Sequence, residues 1–242
     1  HSFFFEASNK MELYTMYNLY ILLGVLLGVI VAFGLYLWFC PIQFNHIKFG
    51  PSIFIYTYHI GSFMKLGDTI DSFDKLFKQR NAKQLLSQQL KIPMDELKLI
   101  SAGLYFDDPH VVKEANLRSA VGYIIKLNDT EQANKLELEQ ILKHLQIQNA
   151  YIRLFPRCNW RVGFYPFFSI FGPLSYIVGA MRVYPKAAKL EYIKCPPIEV
   201  FNGFGTIFTA PNDNYVTYLF AQDNLHCFLV DDDMKRSSDH DH

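Results

Sequence analysis

The residues best suited to acid–base chemistry lie in one short segment, Asp107-Asp108-Pro109-His110. A carboxylate beside an imidazole is a useful general acid–base pair. An Asp-Pro turn after a strand, however, more often uses its carboxylate to accept hydrogen bonds from nearby backbone amides. Arg118 would then pair with one of the two carboxylates. We therefore predict a structural loop and no catalytic residue in the chain.

The thiols are the other groups that could carry chemistry. The four cysteines are Cys40, Cys158, Cys195 and Cys227. They contain no CxxC pair and no disulfide framework, and no histidine pair has metal-ligand spacing, so we predict reduced thiols and no metal site. Cys158 has arginines nearby, but it falls in a predicted strand without a base, and we expect an inert thiol.

GxSxG, P-loop, HExxH and dinucleotide-binding patterns are absent from the sequence. We predict that the protein is not an enzyme and has no cofactor.

The charges of the chain balance, with 23 Lys and Arg against 23 Asp and Glu. The basic residues are scattered along the sequence, so the electrostatic footprint of a nucleic-acid-binding protein is missing. We predict no direct nucleic-acid partner. A length of 242 residues allows one globular domain of ordinary size together with an apolar segment.

That apolar segment runs from Leu19 to Cys40, 22 residues without a charge or a proline. At about 1.5 Å per residue, such a helix crosses a hydrocarbon core of about 30 Å. Aromatic side chains lie towards its two ends, where the headgroup layer favours them; they are Tyr17, Tyr20, Tyr36 and Trp38. Pro41 ends the helix. We predict a transmembrane helix over residues 19–40.

Two other interpretations of this segment are a cleaved signal peptide and a buried core helix. The acidic flank at Glu12 and the bulky residues before Pro41 do not fit a signal peptide.

Gly24, Gly28 and Ala32 form a row of small residues, which would let two such helices pack closely in lipid. Residues 1–18 form an N-terminal flank, and residues 1–10 are left out of the fold prediction as sequence that need not be native.

Residues 41–223 are predicted to fold as an α+β domain of two strand-helix-strand-strand halves. The predicted strands are 52–59, 97–106, 120–127, 151–155, 198–201, 206–209 and 215–220. The predicted helices are 68–90, 130–146 and 167–181. Residues 224–242 are predicted to be a short acidic, solvated tail.

The segment from Gly163 to Met181 has 19 uncharged residues, which is nearly enough for a second membrane span. Pro166, Gly172 and Pro173 interrupt it. We therefore favour a buried amphipathic helix, with an interfacial or re-entrant segment as the alternative.

Several segments of the chain form a pattern by their sequence and their order. The most specific is Leu104 to Val112 (LYFDDPHVV), followed by Arg118 to Gly122 (RSAVG). The others are Tyr56 to Gly61, Phe164 to Pro166, Met181 to Pro185, Leu190 to Ile193 and Ile198 to Phe201. Together these segments resemble the testis-expressed protein 264 family. The residues of the family-motif loop are Tyr105, Asp107, Asp108, Pro109, His110, Arg118 and Gly122. The resemblance extends from Leu19 to Phe220.

The resemblance implies a single-pass endoplasmic-reticulum membrane protein with a gyrase-inhibitor-like domain in the cytosol. It also implies a reticulophagy receptor or adaptor, whose partners are a ubiquitin-like autophagosomal protein and the ubiquitin-dependent AAA segregase. The flanking charges favour a cytosolic domain only weakly, and the sequon at Asn128 could be glycosylated only in a lumenal domain.

The sequence departs from the family in its tail. Such receptors carry an aromatic-x-x-aliphatic motif that adds a strand to the autophagosomal protein, but Phe220 and Phe228 are followed at the fourth position by Asp223 and Asp231. We find no acceptable autophagosome-binding motif there. Gyrase-inhibitor-like domains often hold small molecules between their halves, and 22 Phe and 15 Tyr could line such a cleft. A membrane-tethered small-molecule-binding module is therefore the alternative function, although no single Asp or Glu stands out as the ligand anchor.

Overall fold

The structure is a computed structural model that describes residues 2–109, 111–127, 137–167, 172–200 and 215–228. The chain separates into two compact units, residues 1–41 and 42–242. Helix α1 (Ser2–Phe39) forms the first unit. Its stretch Met16–Phe39 has a mean hydropathy of 2.5, and it is the one helix among the described residues that is long and apolar enough to cross a membrane. The apolar helix predicted over 19–40 is therefore present.

The second unit is an α+β domain, as predicted. In the described part of the chain its strands are β1 (Gln43–Phe49), β2 (Ser52–Ile60), β3 (Ile100–Tyr105), β4 (Arg118–Lys126), β5 (Tyr151–Phe155), β6 (Cys158–Pro166), β7 (Ile198–Val200) and β8 (Tyr215–Ala221). Its helices are α2 (Leu66–Gln79), α3 (Ala82–Leu90), α4 (Leu138–Leu145) and α5 (Gly172–Lys189).

All strand pairs are antiparallel, and the order across the sheet is β1-β6-β8-β7-β3-β4-β2-β5. The sheet contains the same arrangement twice. In the first half, β2 is followed by α2 and α3 and then by β3 and β4, and in the second half β6 is followed by α5 and then by β7 and β8. The predicted pair of strand-helix-strand-strand halves is thus confirmed. They meet where β3 pairs with β7.

The strand that precedes each half pairs with the other half. Strand β1 pairs with β6 and β2 pairs with β5, and one register continues through both ladders, from Gln43 opposite Phe164 to Tyr56 opposite Tyr151. The chain bends at Gly50, whose φ of 108° suits glycine. A Cβ on Gly50 would lie 2.7 Å from the carbonyl oxygen of Pro156, so the two long strands cross here at close range.

Alternation along the strands divides the core between the two faces of the sheet. Ile53 and Ile55 pack against α2, α3 and α4, whereas Phe54 and Tyr56 belong to the aromatic-rich cluster on the opposite face. Helix α5 covers β6 and β8 of the second half. The helices of both halves therefore cover one face, which we call the helical face.

Several predictions need correction. The helix predicted over 68–90 is two helices, because Asn81 has a φ of 50° and breaks the turn between them. Strand β1 was not predicted. The segment from Gly163 to Met181 is not one helix, since β6 extends to Pro166 and α5 begins at Gly172; residues 168–171 lie outside the described residues.

The end of the domain also differs from its predicted boundary at residue 223. Phe228 is fully buried and packs on Phe155 and Trp160, so the domain extends at least to this residue. The strand predicted over 206–209, the first part of the helix predicted over 130–146 and residues 229–242 of the tail lie outside the described residues.

Candidate functional site

The family-motif loop contains a structural ion pair. Asp107 accepts hydrogen bonds from the backbone N–H of Arg118 at 2.8 Å and from its guanidinium Nε and Nη2 at 2.8 and 2.7 Å. The Asp107 side chain is only 6% exposed. Both the amide contact and the Arg118 pair match the structural interpretation of this loop. The backbone carbonyl of Asp108 accepts from the amides of Val111 and Val112.

Three other members of the family-motif loop are Pro109, His110 and Gly122. Pro109 is exposed, and His110 lies outside the described residues. Gly122 allows a close strand contact, since a Cβ there would lie 2.0 Å from the carbonyl oxygen of Ile55. The structure therefore brings no acid–base pair together among the described members of this loop.

The carboxyl group with the most unusual surroundings is Glu199, in the middle of β7. Its neighbours Ile198 and Val200 point into the aromatic-rich cluster, so alternation places Glu199 on the helical face. It lies directly between Gly103 of β3 and Tyr218 of β8, and it is only 7% exposed. This acid sits at the junction of the two halves.

Tyrosines supply the polar contacts of Glu199. The hydroxyl of Tyr184, on α5, donates to its Oε1 at 2.5 Å, and the hydroxyl of Tyr105, on β3, also donates to the carboxylate. Burial raises the pKa of Glu199 to about 7, although the two hydroxyl donors work against this rise. No described Lys, Arg or His contributes to the pKa of Glu199. The group is therefore a buried acid poised to lose or gain a proton near neutral pH.

The surrounding phenols stay neutral. Burial, followed by the nearby Glu199 charge, raises the pKa values of Tyr105, Tyr184 and Tyr218 well above their usual 10. The same causes raise the pKa of Tyr176 to about 12. These four rings provide apolar surface and neutral hydroxyl groups around Glu199.

Two glycines make the room that these rings occupy. The Tyr105 ring lies over Gly103, where a Cβ would come within 3.1 Å of it. On α5, a Cβ at Gly179 would lie 2.5 Å from the hydroxyl oxygen of Tyr218 and 2.9 Å from the Tyr165 ring. Small residues on β3 and α5 thus let the tyrosines approach the acid.

Among the residues that the structure describes, two buried hydroxyl groups on this face have no hydrogen-bond partner. They belong to Tyr218, next to Glu199 across the ladder, and to Ser119, opposite Tyr105 on β4. Burial of an unpaired hydroxyl costs about 1–3 kcal/mol. Such a cost is commonly offset where a bound water or ligand supplies the partner.

The cysteines of the domain core do not have the features of reactive thiols. Burial raises the pKa values of Cys158 and Cys195 to about 11, which disfavours the nucleophilic thiolate. Within the described ranges, no group of three or more His, Cys, Asp or Glu side chains could hold a metal ion.

Sequence reasoning missed Glu199, although one signal was available. Glu199 is the one charged residue in the predicted strand 198–201, and its neighbours Ile198 and Val200 have side chains suited to a core strand. A charge flanked in this way faces either solvent or a buried polar site. The sequence does not distinguish the two. The structure does, because β7 pairs with both β3 and β8 and Glu199 is therefore buried.

No protein-family model and no curated protein sequence matches the chain. Among solved structures, EcmrR in a complex with DNA is 12% identical with a TM-score of 0.42, covering 74% of this chain and 56% of that one. A hydrolase from Listeria innocua is 9% identical with a TM-score of 0.43, covering 74% and 92%. SAV2435 bound to tetraphenylphosphonium is 12% identical with a TM-score of 0.34, covering 74% and 92%. These values are too low to transfer an activity or a ligand to this chain.

Proposed function

We propose that the domain is a binding module for a small organic cation, with Glu199 as its anchor, and that α1 tethers it to a membrane. The observation that carries the proposal is a buried carboxyl group surrounded by tyrosines, with no described basic side chain contributing to its pKa.

Charge and ring chemistry both favour a cation. A buried carboxylate is costly unless an opposite charge accompanies it. Tyrosine faces attract cations that have lost their water, with a stabilisation of about 2 kcal/mol in a dry site. An ammonium group would pair with the carboxylate of Glu199 and also contact the tyrosine faces. A polar group beside the ammonium would give the hydroxyl of Tyr218, which has no partner among the described residues, a hydrogen bond. In this proposal the domain recognises its ligand and performs no reaction.

The proposal is tested with tetraphenylphosphonium as a probe, since it is a hydrophobic cation without a hydrogen-bonding group. Calorimetric titration should detect binding that Glu199→Gln weakens at least tenfold, whereas the neutral triphenylphosphine oxide should not depend on this substitution. Affinity should also rise between pH 6 and pH 8, because ionisation of Glu199 creates the charge partner. Equal binding to both variants would refute the role of Glu199.

A second candidate function is selective autophagy of the endoplasmic reticulum. The combination of an apolar N-terminal helix with a two-half α+β domain supports it, since these are features that the family resemblance implies. In this proposal the chain lies in the endoplasmic-reticulum membrane with its domain in the cytosol. Its partners are the ubiquitin-like autophagosomal protein and the AAA segregase.

Pull-down of residues 42–242 with the autophagosomal protein tests this candidate. Capture that a strand-mimicking peptide abolishes would support an unconventional receptor motif. Failure to capture it would count against a direct receptor role.

A further inference from the structure

We infer that the ligand is a single-chain amphiphile, whose cationic group pairs with Glu199 and whose alkyl chain leaves the site over Phe63 and Met64. This inference rests on the proposed cation site and names its ligand class. The two residues lie in the turn Phe63–Lys65 between β2 and α2, on the first-half side of the junction.

Phe63 connects this turn with the acid. Its ring packs edge-to-face on the ring of Tyr105, with the centroids 5.1 Å apart, and Tyr105 is the residue whose hydroxyl donates to Glu199. The Tyr105 ring also lies over Gly103, which is opposite Glu199 in the sheet, so contacts between neighbouring residues link the buried acid to the turn. Met64, the next residue, is 76% exposed.

The backbone of the turn is held in place although Met64 and Lys65 are exposed. The amide of Gly61 donates to the carbonyl of Leu117 at 2.8 Å, and the hydroxyl of Ser62 donates to Glu114. The imidazole of His59 contacts the carbonyl of Ser62 at 3.1 Å through Nε2. A flexible, polarizable methionine on a restrained backbone is suited to contact an alkyl chain of variable length.

The apolar helix α1 points to the lipid bilayer as the source of such a ligand. Helix α1 ends at Phe39 and strand β1 begins at Gln43, so three residues connect them. Cationic amphiphiles partition into bilayers, and a short tether keeps the domain at a high effective concentration of any membrane-dissolved ligand. A single-chain lipid amine has the required charge and chain.

The test uses the full chain in phosphatidylcholine nanodiscs and a series of alkyltrimethylammonium ions, from tetramethyl to octyl, in equilibrium dialysis. Nanodiscs that carry the Glu199→Gln variant give the background of partition into lipid. The specific affinity should rise about threefold to fourfold for each methylene that becomes buried.

Met64→Ser should flatten this increase and leave the affinity for tetramethylammonium unchanged. Met94→Ser, at a methionine that is 47% exposed in another turn, is the matched control and should behave as the wild type. Phe63→Ala provides a second variant on the same path, and circular dichroism checks that each variant is folded.

The outcomes separate the two proposals. Glu199-dependent binding of tetramethylammonium without a gain from chain length would overturn the amphiphile and leave the cation site in place. A gain that Met64→Ser and Phe63→Ala do not reduce would overturn the path over the turn. Absence of Glu199-dependent binding for every member of the series would refute the proposed function together with the inference.

Discussion

Replacement of Glu199 by glutamine should change the pH dependence of folding in one defined window. Burial raises the pKa of this carboxyl group from the usual 4.5 to about 7. Between these values the folded domain binds more protons than the unfolded chain, so its stability falls as the pH rises. A rise of this size corresponds to about 3 kcal/mol, at about 1.36 kcal/mol per pH unit. Glutamine cannot ionise, so the variant should not show this loss.

The assay is urea unfolding of residues 42–242, followed by circular dichroism at pH 4.5, 5.5, 6.5 and 7.5. These residues form a compact unit with its own core, so the unit is suited to this measurement. The free energy of unfolding of Glu199→Gln minus that of the wild type should increase by about 3 kcal/mol from pH 4.5 to pH 7.5. Taking the difference removes the titration of all other groups.

Glu96→Gln is the control, because Glu96 is exposed and its substitution should leave the difference flat. A difference between Glu199→Gln and the wild type that stays constant across the window would mean that folding does not raise the pKa of Glu199. In that case the tyrosine hydroxyls would outweigh the cost of burial, and the reasoning from desolvation would be wrong.

Three further substitutions test the surroundings of the acid and the family-motif loop. Gly179→Ala should lower the free energy of unfolding by about 1–3 kcal/mol, measured by urea unfolding, since its Cβ would lie 2.5 Å from the Tyr218 hydroxyl; an unchanged midpoint would show that the phenol moves away freely. Tyr184→Phe removes a hydrogen bond that lowers the pKa of Glu199, so the pH at which cation binding reaches half its maximum should rise; a fall would contradict this assignment. Asp107→Asn should destabilise the domain by about 1–3 kcal/mol through the loss of a charge-assisted pair while cation affinity is retained; loss of affinity in a folded variant would place this loop in the binding site.

The sequence was informative where a segment's structure depends on its own residues. The apolar helix follows from an uninterrupted run of lipid-compatible side chains, and β2 follows from the β-branched and aromatic residues of Ser52 to His59. Strand β1 was missed because its partners lie on β6, more than a hundred residues away, and its own residues include Asn45, His46 and Lys48. Only long-range pairing makes this segment a strand.

The candidate site illustrates the same limit more strongly, because it does not exist within either half alone. Glu199 belongs to the second half, while Tyr105, one of its two hydroxyl donors, belongs to the first. Their contact depends on the pairing of β3 with β7, where Gly103 lies opposite Glu199. A ligand bound at this acid would therefore contact both halves and stabilise their pairing by mass action. The duplicated arrangement thus explains the position of the site. The helices of each half pack on the strands of that half, and Glu199 is buried at the β3–β7 pair, where the two sets of helices meet.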